Sequence, residues 1–162
     1  MTTRTDLSES PPIKSRDDLL AIFSGGEKPE ANWLIGTEHE KFVYRLSDYR
    51  APSYDEPGGI RDVLMGMTEF GWTPVIEGGN VIALTGADGT ISLEPAGQLE
   101  LSGAALENLH ESCAESGRHL KQVKAVGDRL GLGFLGIGMW PDKKRSDLPV
   151  MPKGRYQIML DY

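Results

Sequence analysis

The chain has 162 residues, with 17 Lys plus Arg against 24 Asp plus Glu, for a formal net charge of −7. That length suits one domain, and 39% apolar with 25% charged residues suits a packed core and not a disordered chain. The acidic balance, without a Lys/Arg block, argues against nucleic acid, and no apolar run approaches the roughly 20 residues of a membrane span.

Residues 1–14 read as a flexible tail, polar and broken by Pro11-Pro12. No basic start is followed by an apolar stretch, so no signal peptide is visible. The single cysteine excludes an internal disulfide and a Cys-built metal site. Both observations point to a reduced, cytoplasmic setting. Ser15 then reads as the N-cap of a helix that Gly25-Gly26 stops. The stretch 33–46, rich in aromatic and branched residues, predicts a strand. Side chains alternate along a strand, so Glu38 and Glu40 share a side and His39 faces away.

A loop over 47–57 precedes a helix over 58–70, with Ile60, Val63, Leu64 and Met67 on one face. The 20 Gly and 10 Pro predict many turns and short strands. Strands over 73–76 and 81–84, with turns at Gly78-Gly79-Asn80 and Ala87-Asp88-Gly89, read as antiparallel hairpins. Residues 90–102 read as one strand interrupted at Pro95-Ala96-Gly97. Its apolar side is Ile91, Leu93, Leu99 and Leu101, and its polar side is Ser92, Glu94, Gln98, Glu100 and Ser102. A helix over 105–130 follows, on a stripe of Leu106, Leu109, Cys113, Gly117, Leu120, Val123, Gly127 and Leu130. Then come a buried strand over 132–140, a charged loop over 141–149, and a helix opening at Gly154.

Two acidic pairs stand out, Glu38 with Glu40 and Glu94 with Glu100. Alternating carboxylates on one exposed strand are usually solvated surface. Here each acidic strand has an apolar opposite face, so both belong to one sheet with the acids on its polar side. Gathered carboxylates repel one another, and a hard divalent cation relieves this with oxygen ligands; Mg²⁺ is the natural choice and usually holds substrate phosphates too. The residues alone therefore predict a nucleotide-dependent enzyme whose sheet face clamps metal and phosphate.

The segments GTEHEKF (36–42), SLEPAGQLELSGA (92–104), FLGIGMWP (134–141) and MPKGRY (151–156) resemble the plant-type glutamate–cysteine ligases, which also occur in proteobacteria. The resemblance runs from about residue 14 to the last residue. It implies part of a glutamine synthetase-like catalytic domain over 15–162, in a carboxylate–amine ligase. It also implies the family reaction: ATP phosphorylates the γ-carboxylate of L-glutamate, and the amine of L-cysteine attacks the acyl phosphate, the first step of glutathione synthesis. By the same resemblance ATP and Mg²⁺ are the cofactors. Glu38, Glu40, Glu94 and Glu100 face the metal, Gln98 lines the site, and Arg155 holds a substrate carboxylate as the catalytic and substrate-binding arginine. A planar fork of donors suits that task. Cys113 matches a cysteine that forms a redox-regulating disulfide in plant-type relatives, with a partner outside this chain. Relatives are several hundred residues long, so the chain reads as an N-terminal portion, inactive alone; a homodimer is compatible with this.

Other features are discounted. Gly131 to Gly136 spells GxGxxG, but between a helix and a strand, the reverse of a dinucleotide site. The helix stripe makes Cys113 a buried small residue. His39 reads as structural, His110 and His119 as surface or packing residues, and Lys143-Lys144-Arg145 as a solvated loop. Trp33, Trp72 and Trp140 read as core residues, with Trp140 also open to an adenine-facing role. The expected fold is α+β: an antiparallel sheet with helices on one face and the active site on the other. The alternatives are a related ligase using another amine, and a non-catalytic module that keeps the acidic sheet.

Overall fold

A computed structural model describes residues 12–87 and 89–161. Most of the 1–14 tail, and Asp88 of the second turn, lie outside the described residues. The architecture is α+β, built on six strands in the order β2-β3-β4-β5-β1-β6, every neighbouring pair antiparallel. The strands are β1 Glu38–Arg45, β2 Thr73–Glu77, β3 Asn80–Gly86, β4 Gly89–Glu94, β5 Gln98–Ser102 and β6 Leu132–Leu135. The helices are α1 Arg16–Gly26, α2 Ile60–Met67, α3 Leu109–Leu130 and α4 Gly154–Leu160.

The chain leaves β1, crosses by α2 to the far edge, and meanders back through β2 to β5 beside β1. α3 then carries it to β6 on the other side of β1. The strand bearing Glu38 and Glu40 is thereby flanked on both sides. The β2–β3 turn holds Gly78 and Gly79 at φ +55° and +82°, the left-handed pair a two-residue hairpin of the primed type requires. Ile91, Leu93, Leu99 and Leu101 are all fully buried. Burying each contributes about 1.5–3 kcal/mol, and a one-residue slip would turn all four outward, so the β4–β5 register is fixed by this face. α2 packs on β3 and α3, and α3 packs on β6. Ile60, Val63, Leu64 and Met67 are the buried residues of α2, as their spacing predicts.

Four expectations need correction. α3 starts at Leu109, with Asn108 as its N-cap, because Leu106 instead bridges Ile35 as an extended residue. Its buried face is Ser112, Glu115, His119, Val123, Val126 and Gly127. Leu109 and Leu120 are exposed, and so is Cys113. The contacts of Gly127 with Leu132 and Phe134 set the helix phase, and Glu115 can lie inside because its carboxylate accepts the Ala104 N–H at 2.7 Å. The 132–140 strand ends at Leu135, and Met139 is 74% exposed. Trp33 is 67% exposed, its Nε1 donating to the Lys28 carbonyl at 2.9 Å; Trp72 is buried in the core and Trp140 is half-buried. No helix among the described residues is long and apolar enough to cross a membrane.

Candidate active site on the polar sheet face

The site is built on β1, β4 and β5. Glu40 lies directly opposite Glu100, and Glu38 opposite Ser102. On the other side of β5, Glu100 faces Ser92 and Gln98 faces Glu94. Period-two alternation puts all these side chains on the face away from α2 and α3. The hairpin between β4 and β5 turns at Pro95, with Ala96 and Gly97 at φ +65° and +74°. A Cβ at Gly97 would sit 3.0 Å from the Ile60 side chain, so the turn lies tight on α2.

Like charges directly opposed across two strands are destabilising. Glu40, Glu100 and Glu94 are each tied down separately. Gln98 Nε2 donates to Glu40 at 3.0 Å. The hydroxyls of Ser92 and Ser102 donate to the two oxygens of Glu100 at 3.2 and 3.0 Å. Glu100 is only 2% exposed, so this part of the polar face is not wet. Arg155 Nη2 donates to Glu94 at 2.7 Å. Burial pushes the Glu94 carboxyl above the usual carboxylate range; Arg155 and Lys153 oppose the rise, and the neighbouring Glu100 carboxyl adds to it.

The MPKGRY segment is held against the end of β4. Lys153 Nζ and the Tyr156 hydroxyl both donate to the Leu93 carbonyl at 2.7 Å. The Gly154 N–H donates to Glu77 at 2.7 Å. Burial pushes the Tyr156 phenol up to about 12, so it remains a donor. Alternation placed Ser92 and Ser102 on the polar side, but spacing gave no sign of the parts played by Lys153 and Tyr156, although both lie inside the MPKGRY segment. The structure also adds a cavity of about 330 Å³ on the same face, floored by Phe42 and Tyr44 and walled by Tyr49, Leu135 and Trp140. Trp140 meets Phe42 edge-on at 5.3 Å between ring centroids. Two stretches far apart in sequence, residues 42–49 and 135–142, form it, and of its lining residues the sequence singles out Trp140 alone.

Glu40, Glu94, Gln98, Glu100 and Arg155 are thus brought together. Glu38 stands exposed at the start of β1. Cys113 lies on α3 and is exposed, not buried as the stripe suggested. His39 faces the helix side, where Lys41 Nζ donates to its Nδ1 at 2.8 Å. The donor set is all oxygen, the chemistry a hard cation such as Mg²⁺ prefers. The direct opposition of Glu40 and Glu100 suits such an ion. Among the described residues, however, no three acidic, histidine or cysteine side chains converge enough to enclose one. Glu94 is engaged by Arg155 and Glu40 by Gln98.

The profile of the glutamate-cysteine ligase family 2 matches residues 34–162. Glutamate–cysteine ligase B of Oryza sativa subsp. japonica is 53% identical over 149 residues, covering 91% of this chain and 29% of that protein. The glutamate–cysteine ligases of Medicago truncatula and Arabidopsis thaliana are each 50% identical over 91% of this chain, which covers 29% and 28% of them. The chain thus spans about three-tenths of the length of these relatives. All three are named chloroplastic, which overturns the cytoplasmic expectation: one cysteine and an unremarkable start do not report a compartment. A match over four-fifths of the residues, on a sheet that gathers the motif acids, assigns the chain to the glutamate–cysteine ligase family.

Proposed function

We propose that this chain carries the acidic sheet face of an ATP-dependent ligase that joins the γ-carboxylate of L-glutamate to the amine of L-cysteine. The observation that carries the reading is the direct opposition of Glu40 and Glu100 on central strands, with Glu94 and Arg155 beside them. On this reading ATP phosphorylates the γ-carboxylate, and the cysteine nitrogen displaces phosphate from the acyl phosphate. Glu40, Glu94 and Glu100, with Glu38 at the margin, would hold Mg²⁺, which when bound supplies positive charge to the phosphate oxygens.

The chain's own residues do the positioning. Gln98 fixes the Glu40 carboxylate, and Ser92 and Ser102 fix both oxygens of Glu100. Arg155 presents its fork to a substrate carboxylate. The cavity beside Phe42 lies on the same face as Glu40, two residues along β1. This reaction calls for no side-chain nucleophile.

The test is ADP release by the complete protein with L-glutamate and, in parallel, cysteine, alanine or 2-aminobutyrate. Turnover fastest with cysteine is expected; equal turnover with alanine would replace cysteine with a broader amine acceptor. Glu40→Gln and Glu100→Gln should each lower turnover about 100-fold or more, with thermal unfolding little changed. Near-normal turnover would remove both carboxylates from the site.

A further inference from the structure

Phe42 and Tyr44 continue along β1 from Glu40 on the same face, aromatic where the preceding positions are acidic. With Tyr49 and Trp140 they bring four aromatic rings to the cavity of about 330 Å³. Phe42 and Trp140 meet edge to face, and the Tyr44 and Tyr49 ring centroids lie 6.2 Å apart at 38°. The carboxylate that joins these rings in the lining is that of Asp142. We infer that the cavity is an aromatic cage for an organic cation, a methylated ammonium group held by the ring faces and by Asp142. None of the acids of the proposed active site lines it, so this binding stands apart from the ligation chemistry.

The backbone is arranged to place these rings. Gly133 faces Tyr44 across β6 and β1, and a side chain there would collide with the Tyr44 ring. The middle glycine of the GxGxxG run thus lets that ring lie over β6. Tyr49 sits at φ +57°, in the left-handed region that is unfavourable to a residue with a side chain. Its N–H donates to the Arg45 carbonyl at 2.9 Å and the Arg45 N–H to the Arg50 carbonyl at 3.0 Å, closing the turn that holds it there. Tyr49 is 69% exposed, so burial does not account for its placement, and backbone strain of this kind concentrates at ligand clamps. Trp140 Nε1 donates to Asp142 at 2.9 Å, which keeps the carboxylate beside the indole. Lys143 Nζ donates to the other oxygen at 3.1 Å but does not line the cavity. These two donors hold the Asp142 carboxyl below the usual carboxylate range.

The class of ligand follows from what the cavity offers. Ring faces attract cations through their quadrupole, Trp most strongly. A primary ammonium brings three N–H donors that need acceptors, and the one carboxylate lining the cavity already accepts from two donors. A quaternary ammonium has no N–H to satisfy. A phosphate-bearing ligand would meet a carboxylate where it needs a cation.

Calorimetric titration of the complete protein with choline, and with dimethylbutanol, its neutral isostere in which carbon replaces the nitrogen, tests the cage. Choline should bind about fivefold or more tightly than the isostere. Tyr49→Leu removes an exposed ring and should weaken choline about threefold or more, whereas Tyr49→Phe keeps the ring and should stay within about twofold of wild type. Trp140→Leu should weaken choline about fivefold or more. Asp142→Asn, which keeps an oxygen for the Trp140 N–H, should weaken choline and leave the isostere unchanged. No choline binding in the millimolar range overturns the cage. Equal binding of choline and the isostere also overturns it, leaving an apolar pocket without charge preference. Wild-type affinity in Tyr49→Leu overturns it too, and displacement of choline by saturating ATP overturns it in favour of a nucleotide base.

Discussion

His119 is 2% exposed on α3, and neither ring nitrogen finds a hydrogen-bond partner among the described residues. Burial pushes its pKa down to about 3, with the nearby Lys41 and His39 charges adding to the effect. In an unfolded chain the same ring takes up its proton near pH 6.5. Between pH 6.5 and 3 the unfolded state therefore binds more protons than the folded one. The stability this neutral ring permits is whole above pH 6.5 and drains as pH falls through that window, by up to about 1.4 kcal/mol per pH unit. His119→Leu removes the titration and forfeits no hydrogen bond. Thermal melts between pH 4 and 7 should show the variant unfolding at a higher temperature than wild type at pH 5, with a flatter acid limb. Parallel limbs would place the acid sensitivity elsewhere. Glu115, one turn earlier, marks the contrast: it is equally buried, but one oxygen takes the Ala104 N–H.

α3 shows what a helix pattern conveys and what it conceals. Gly117 and Gly127 both lie on the stripe read from the sequence, yet their surroundings differ. A Cβ at Gly117 meets nothing within 4 Å. A Cβ at Gly127 would sit 2.7 Å from the Phe134 ring and 2.8 Å from the Leu132 carbonyl oxygen. Replacing a helical glycine by alanine gains up to about 1 kcal/mol, and overpacking costs about 1–3 kcal/mol. Gly117→Ala should therefore stabilise by about 0.5–1 kcal/mol, while Gly127→Ala should destabilise by about 1 kcal/mol, both read from urea midpoints. The same sign for both would mean that β6 yields easily. Helix existence, period and C-terminal stop at Gly131 were legible, since they follow from local spacing. The buried face in the N-terminal half was not, because Glu115 and His119 are polar, and the Ala104 N–H that Glu115 accepts lies outside the helix. The strands were legible for a similar reason: Ile91, Leu93, Leu99 and Leu101 alternate strictly, and their common face is core.

Across the whole molecule, the sheet converts local alternation into a site. The shared face of Glu38 and Glu40, and that of Glu94 and Glu100, can be read strand by strand. Their juxtaposition needs β5 to lie beside β1, which the pattern does not encode and the motif resemblance implied. The hold of Arg155 on Glu94 spans 61 residues and left no trace in spacing. The same long-range wiring predicts an uneven distribution of stability. β1 and β5 pair with neighbours on both sides and cover the fully buried Leu99 and Leu101. α1 has its capping box between Ser15 and Asp18 but no buried residue, and Leu19, Leu20, Ile22 and Phe23 are all exposed. Eleven residues make a marginal helix without packing, and a cap contributes only about 1 kcal/mol. Opening α1 should thus cost little, whereas exposing β5 amides requires global unfolding. In native-state hydrogen exchange of this chain, amides over Arg16–Gly26 should exchange first and those of β5 and central β1 last, with the two groups differing in opening free energy by several kcal/mol. Protection of α1 equal to that of β5 would mean that its apolar stripe is covered in solution and that the helix belongs to the cooperative core.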